Sequence, residues 1–231
     1  MSLFRTMNVT CPNCGTAVNM SAVGSVNADR RPDLRSAILQ SEFQDTKCPS
    51  CGTSFRLSPD FNYLDVGRGQ WIAGLSADRL GDWAELEDET MATFDSTYGS
   101  KAIAAARDVG AGLAVRLTFG WPAIREKILA REHDLDDALL EMLKLETMRR
   151  LPAAPFAAGI ELRLVGASDD TLTFSWIDAE TEEVSQSLDV RRTLLDAIAE
   201  NPEGWANIRS KLTDGPFVDM QKLYVGDGRP A

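Results

Sequence analysis

Cys11-Pro12-Asn13-Cys14-Gly15 and Cys48-Pro49-Ser50-Cys51-Gly52 are the two stretches on which the reading of this chain turns. In a Cys-x-x-Cys turn both sulfurs reach toward one point. The glycine that follows each second cysteine allows the left-handed backbone that closes the turn. Two such knuckles make a closed four-cysteine site, and a site of that kind, with no open coordination position, is structural and not catalytic. The expectation is one structural Zn2+ per chain, held by Cys11, Cys14, Cys48 and Cys51. Two readings compete. Four cysteines also suffice for two disulfides in an oxidising compartment, and the same two knuckles suit iron in a rubredoxin-like site. All four cysteines are used in the pairs. The start of the chain shows no apolar run with a small-residue cleavage site, which points to a reducing, cytoplasmic setting where thiolates meet metal.

The spacer between Cys14 and Cys48 is longer than the usual 15–20 residues or so of such sites. It holds Pro32-Asp33-Leu34-Arg35-Ser36-Ala37-Ile38-Leu39, where Leu34 and Ile38 lie four apart, so a short inserted helix is expected. Outward from the knuckles, residues 61–75 read as extended. A helix is expected from Asp82, with Glu85 three residues on in the manner of a capping box, and a short helix from Ser100 to Gly110. Leu113, Val115, Leu117 and Phe119 alternate with Ala114, Arg116 and Thr118, the period of a half-buried strand. Two helices follow as an antiparallel hairpin, the second capped by Asp134 and carrying Leu135, Ala138, Leu139, Met142, Leu143 and Leu145 on one stripe. Residues 151–158 read as a linker. Beyond it come alternating strands through Ile160, Leu162, Leu164 and Leu172, Phe174, Trp176, then two helices near 190–200 and 203–212, and a last strand over Phe217 to Val225.

The pattern is an α+β protein in three parts: a zinc ribbon with an inserted helix over residues 1–75, a mostly helical region over 76–150, and a small antiparallel sheet with helices over 151–231. Its 231 residues, 44% hydrophobic, are enough to bury a core without the metal.

The knuckles resemble those of the CpXC family, named for its two Cys-Pro-X-Cys motifs. Gly24-Ser25-Val26-Asn27 after the first and Phe55-Arg56 after the second are similar to that family. So is the tract from Arg116-Leu117-Thr118-Phe119 through Leu135-Asp136-Asp137 to Leu143-Lys144. The resemblance spans roughly residues 6–148. It implies the metal and the fold, and it implies no activity.

Charge bounds the partners. The net charge is −11, and residues 1–70 hold 7 basic and 6 acidic side chains, so the rest holds 17 and 29. A nucleic-acid binder carries a basic face, because phosphate neutralisation supplies most of its affinity. Nucleic acid is therefore disfavoured for the whole chain, although clustering of Arg30, Arg31, Arg35, Lys47, Arg56 and Arg68 on one face would restore it. No stretch is long and apolar enough for a membrane span.

Other candidate groups have ordinary explanations beside the functional one. His133, the single histidine, reads as a loop residue between helices rather than a general base. Glu85, Glu87, Asp88 and Glu89 complement a helix dipole, as do Asp134, Asp136 and Asp137. The chain leaving the second knuckle carries Phe61, Tyr63 and Trp71. Aromatics anchor protein interfaces, so Tyr63 or Trp71 is expected to be partly exposed beside the knuckles and to contact a protein partner, against the alternative that both pack between ribbon and body. The function expected is a cytoplasmic interaction or scaffold protein and not an enzyme. The alternatives are a nucleic-acid-associated ribbon, or an enzyme whose site would show as converging carboxylates in a cleft far from the metal.

Overall fold

The computed structural model describes residues 3–153, 155 and 157–228. The chain opens with β1 (Leu3–Thr10), β2 (Ala17–Asn27), α1 (Pro32–Leu39), β3 (Asp45–Lys47), β4 (Ser54–Arg56), β5 (Phe61–Asp65) and β6 (Gln70–Leu75). It continues through α2 (Trp83–Thr97), α3 (Ala104–Gly110), β7 (Ala114–Phe119), α4 (Gly120–Glu132) and α5 (Asp137–Arg150). It ends with β8 (Ile160–Ala167), β9 (Thr171–Asp178), β10 (Val184–Arg191), α6 (Arg192–Ala199) and α7 (Pro202–Leu212). The α+β class is as expected. The expected linker 151–158 lies partly outside the described residues.

The strands form three sheets. The largest has the order β1-β2-β5-β6-β7, the second β10-β9-β8, and β3 pairs with β4 alone. β2 meets β5 in parallel, as β6 meets β7, while β1–β2 and β5–β6 are antiparallel. The β6–β7 pair carries the large sheet across residue 75, where the sequence suggested that one part ends and another begins.

Layering follows from the two-residue period of the strands. Tyr63 and Ile72 point to one face of the large sheet, where Ile38 of α1 and Trp121, Ile124 and Ile128 of α4 cover them. Trp71, Ala73, Leu117 and Phe119 point to the other face, covered by Leu86 of α2 and by Phe217. A third core lies between α5 and the second sheet, with Leu140, Leu143, Leu162, Leu164, Phe174 and Trp176, closed by Leu195 of α6 and Leu212 of α7. α4 is thus sandwiched between the two sheets and buried on most of its circumference.

Several expectations are corrected. Tyr63 and Trp71 are 0% and 3% exposed, so neither presents a docking surface. β5 and β6 are inner strands of a sheet covered on both faces: β6 is buried at both parities, and β5 buries Phe61, Tyr63 and Asp65 while Asn62 and Leu64 are half-buried. The Tyr63 hydroxyl donates to Asp65 Oδ2 at 3.1 Å, and Trp71 meets the Phe94 ring edge-on at 5.5 Å. Phe61 is buried as well. The second helix of the hairpin is capped not by Asp134, which sits at φ +53°, but by Asp136, whose side chain accepts from Ala138 N and Leu139 N. Asp82 makes no capping hydrogen bond, because a 3-10 turn over Ala77–Asp82 runs straight into α2. The expected last strand is a 3-10 turn, Met220–Leu223, preceded by Phe217 and Val218 in the core. No helix among the described residues is long and apolar enough to cross a membrane.

Candidate metal centre

Each Cys-x-x-Cys pair sits at the tip of a hairpin: the first joins β1 to β2, the second β3 to β4. The two turns repeat one backbone pattern. Cys11 N donates to Thr16 O and Gly15 N to Cys11 O, at 2.9 and 3.0 Å. Cys48 N donates to Thr53 O and Gly52 N to Cys48 O, both at 2.9 Å. Gly15 and Gly52 take φ of 71° and 75°, a conformation that costs residues with a Cβ about 1–2 kcal/mol.

The hairpins bring the four sulfurs together. Cys11 Sγ lies 3.7 Å from Cys51 Sγ, and Cys14 Sγ lies 3.6 Å from Cys48 Sγ. All four lie within 4.8 Å of one another. A disulfide would require about 2.05 Å, so the four are free thiols. A tetrahedral site with metal–sulfur bonds of about 2.3 Å has sulfur–sulfur edges of about 3.8 Å. The observed separations match that polyhedron, so the residues present fit a metal ion. The first cysteine of each pair is buried and the second is exposed, with Val9, Val18 and Phe55 packed around the buried pair.

The surroundings tune the sulfurs unequally. Thr16 Oγ1 lies 3.3 Å from Cys14 Sγ and Thr53 Oγ1 lies 3.2 Å from Cys51 Sγ. A thiolate there accepts from the hydroxyl. The hydroxyl and backbone N–H of Thr53 pull the Cys51 thiol down to about 5, and those of Thr16 lower Cys14. At Cys11 the Cys14 N–H favours the thiolate, but burial and the neighbouring sulfurs outweigh it and push the thiol up to about 11. A bound cation would overturn that order, since coordination deprotonates thiols outright. Asn13 Nδ2 donates to Thr53 Oγ1 at 3.0 Å, tying one knuckle to the other.

A second constellation was not legible in the sequence. Glu126 and Lys127 of α4, Glu141 and Lys144 of α5, Glu161 and Arg163 of β8 and Asp219 are all buried. Lys144 Nζ is 2.6 Å from Glu126 Oε1 and 2.9 Å from Glu141 Oε2. Lys127 Nζ is 3.2 Å from Glu141 and 3.3 Å from Asp137, which also takes both arms of Arg116. Arg163 reaches Glu126, Glu161 and Asp219 at 3.0, 2.7 and 2.5 Å. Backbone N–H groups add to the network: Leu164 N donates to Glu126 Oε2, and Met220 N donates to Glu141 Oε2 beside Lys144.

Burial raises Asp219, but Arg163, Lys144 and Lys127 outweigh it and hold the carboxyl down at about 2. Burial also raises Glu126, and Lys144 and Arg163 bring it below the usual range. For Glu161 burial prevails and the carboxyl stays raised. Glu126, Glu141 and Asp219 come within 4.8 Å of one another, but the ammonium and guanidinium groups of Lys144 and Arg163 already occupy the space between them. These carboxylates converge in the core, and the network reaches two surface pockets through Lys127 and Asp137 in one and Arg163 in the other.

Four of the six basic residues named above are paired with carboxylates, while Arg30 and Lys47 are exposed. Arg31 pairs with Asp33, Arg35 with Glu132, and Arg68 with Asp65. Arg56 pairs with Glu182 and stacks over Trp121 at 4.7 Å.

Among known proteins, the family model described as CpXC protein matches residues 9–144, more than half of the chain. No curated protein and no solved structure matches it.

Proposed function

The chain belongs to the CpXC family, and from that premise we propose that it is a structural-zinc protein acting as a protein-interaction or scaffold module in the cytoplasm, not as an enzyme. The observation that carries this reading is the set of sulfur separations, 3.6 and 3.7 Å, at the tips of two like hairpins. Four thiolates are soft donors that favour zinc or iron–sulfur chemistry over magnesium or calcium. Four sulfurs also complete a tetrahedron, so the ion has no free position for substrate and holds the two hairpins as a zinc ribbon. Its mechanical effect reaches beyond the knuckles. β4 leaves Cys51 and carries Arg56 to Trp121 and Glu182, so clamping the second knuckle fixes a strand that touches α4 and the β9–β10 turn. The pairing of Arg31, Arg35, Arg56 and Arg68 with carboxylates, together with the net charge of −11, supports a protein partner over nucleic acid.

Elemental analysis of protein purified without added metal tests the reading. One zinc per chain is expected, with four thiols titratable only after chelation or unfolding. Iron in place of zinc, well under half an equivalent of any metal, or oxidised cysteines would refute it.

A further inference from the structure

A second feature has a ligand's shape. Between the end of α1, β4, α4 and the second sheet lies a groove of about 590 Å3, within the range of about 300–1,000 Å3 typical of small-molecule sites. Most of its wall is aliphatic: Leu39, Pro122, Leu129, Leu164, Ile177 and Val184. The charged part of the lining is three arginines and one carboxylate, Arg56, Arg125, Arg163 and Glu182. Arg163 belongs to the buried ion network. Arg56 and Arg125 share the single Glu182, one on each carboxylate oxygen, and Asp45 reaches only the outer edge of Arg56 at 4.0 Å. Nη1 of Arg56 is buried and donates to nothing. Within the groove wall itself, Arg56 and Arg125 thus rely on one shared carboxylate, and the further partner Asp45 lies outside the lining. A guanidinium with an idle buried donor beside an apolar channel is stabilised by an anion, because charge-assisted guanidinium hydrogen bonds are among the strongest available.

We propose that this groove binds a small monocarboxylate with an apolar body, its carboxylate on Arg56 and Arg125 and its chain along Leu129, Leu164 and Ile177. The second cysteine knuckle, which ends just ahead of β4 and Arg56, then serves to hold one arm of the anion clamp.

Calorimetric titration of the intact, metal-loaded protein with sodium octanoate tests this, with 1-octanol and acetate as probes lacking the charge and the chain. Octanoate should bind at least about tenfold more tightly than either. Arg125→Met should weaken octanoate by a similar factor and leave octanol unchanged. Val165→Trp fills the groove at a rim position that is 44% exposed, so it should abolish octanoate binding while circular dichroism and metal content stay as in the parent protein. Absence of octanoate binding at millimolar concentration overturns the proposal. So does equal affinity for octanol, or full octanoate affinity in Val165→Trp. None of these outcomes bears on the zinc stoichiometry, so the two readings fail separately.

Discussion

Replacing Lys144 by methionine removes one charge from the middle of the buried network and little volume. Lys144 is fully buried and bridges Glu126 and Glu141, both also fully buried. Without it, Glu126 keeps Arg163 and Leu164 N, and Glu141 keeps Lys127 and Met220 N. Each carboxylate loses one of its two cations in a medium that solvates it poorly. Breaking a buried pair from one side costs about 3–5 kcal/mol. The surviving partners place this case at the lower end, about 3 kcal/mol. In a domain of this size that corresponds to a fall of about 6–12 °C in Tm. Urea denaturation followed by tryptophan fluorescence at neutral pH measures it, alongside a scanning-calorimetry Tm. Adding Glu141→Gln to Lys144→Met removes one stranded charge, and the double variant should recover about 1–2 kcal/mol relative to the sum of the single effects. A loss below about 1 kcal/mol for Lys144→Met, or strict additivity in the cycle, would show that the network carries no coupled electrostatic free energy and would refute the reasoning.

Asp219 is held at about 2, against about 3.9 unfolded. Its contribution, about 2.6 kcal/mol, is present above pH 4 or so and is lost as pH falls through the folded value; Glu161, raised in the fold, works in the opposite direction. Asp219→Asn should therefore lower neutral-pH stability and flatten the acid limb of a urea-midpoint profile, and an unchanged acid limb would count against the assignment. Cys48→Ser should lose the metal and accelerate amide exchange in β1–β4 while β8–β10 stay protected, since structural zinc supplies about 10–16 kcal/mol of apparent binding free energy in finger peptides; loss of protection in β8–β10 as well would make the two regions one cooperative unit. Gly52→Ala, at φ +75°, should cost about 1–2 kcal/mol and raise the rate of zinc loss to a chelator, whereas unchanged release would mean the knuckle tolerates a Cβ. Duplex DNA should show no submicromolar affinity in a mobility-shift assay at physiological salt, and a tight, sequence-dependent complex would reverse the partner assignment.

The sequence by itself determined the parts governed by local chemistry. Cys11, Cys14, Cys48 and Cys51 were identifiable because a Cys-x-x-Cys-Gly turn aims its sulfurs through its own backbone, whatever surrounds it, and the structure brings all four together. The α+β class, α1 inside the long spacer, the α4–α5 hairpin and the strands β8 and β9 followed from periodicity and turn residues. Burial on the second face of an element was decided only by the tertiary structure. Tyr63 and Trp71 share a short aromatic-rich segment, but their exposure depends on α4 and α2 closing over opposite faces of the sheet. Likewise Glu161 and Arg163 alternate with Leu162 and Leu164 as solvent-facing residues would. They are buried because α4 lies across that face of β8 and offers Glu126 to Arg163, which in turn pairs with Glu161. A charged residue is read as exposed until the fold supplies an opposite charge at hydrogen-bond distance. Those partners lie 37 and 56 residues from Arg163 along the chain, beyond the reach of any local pattern.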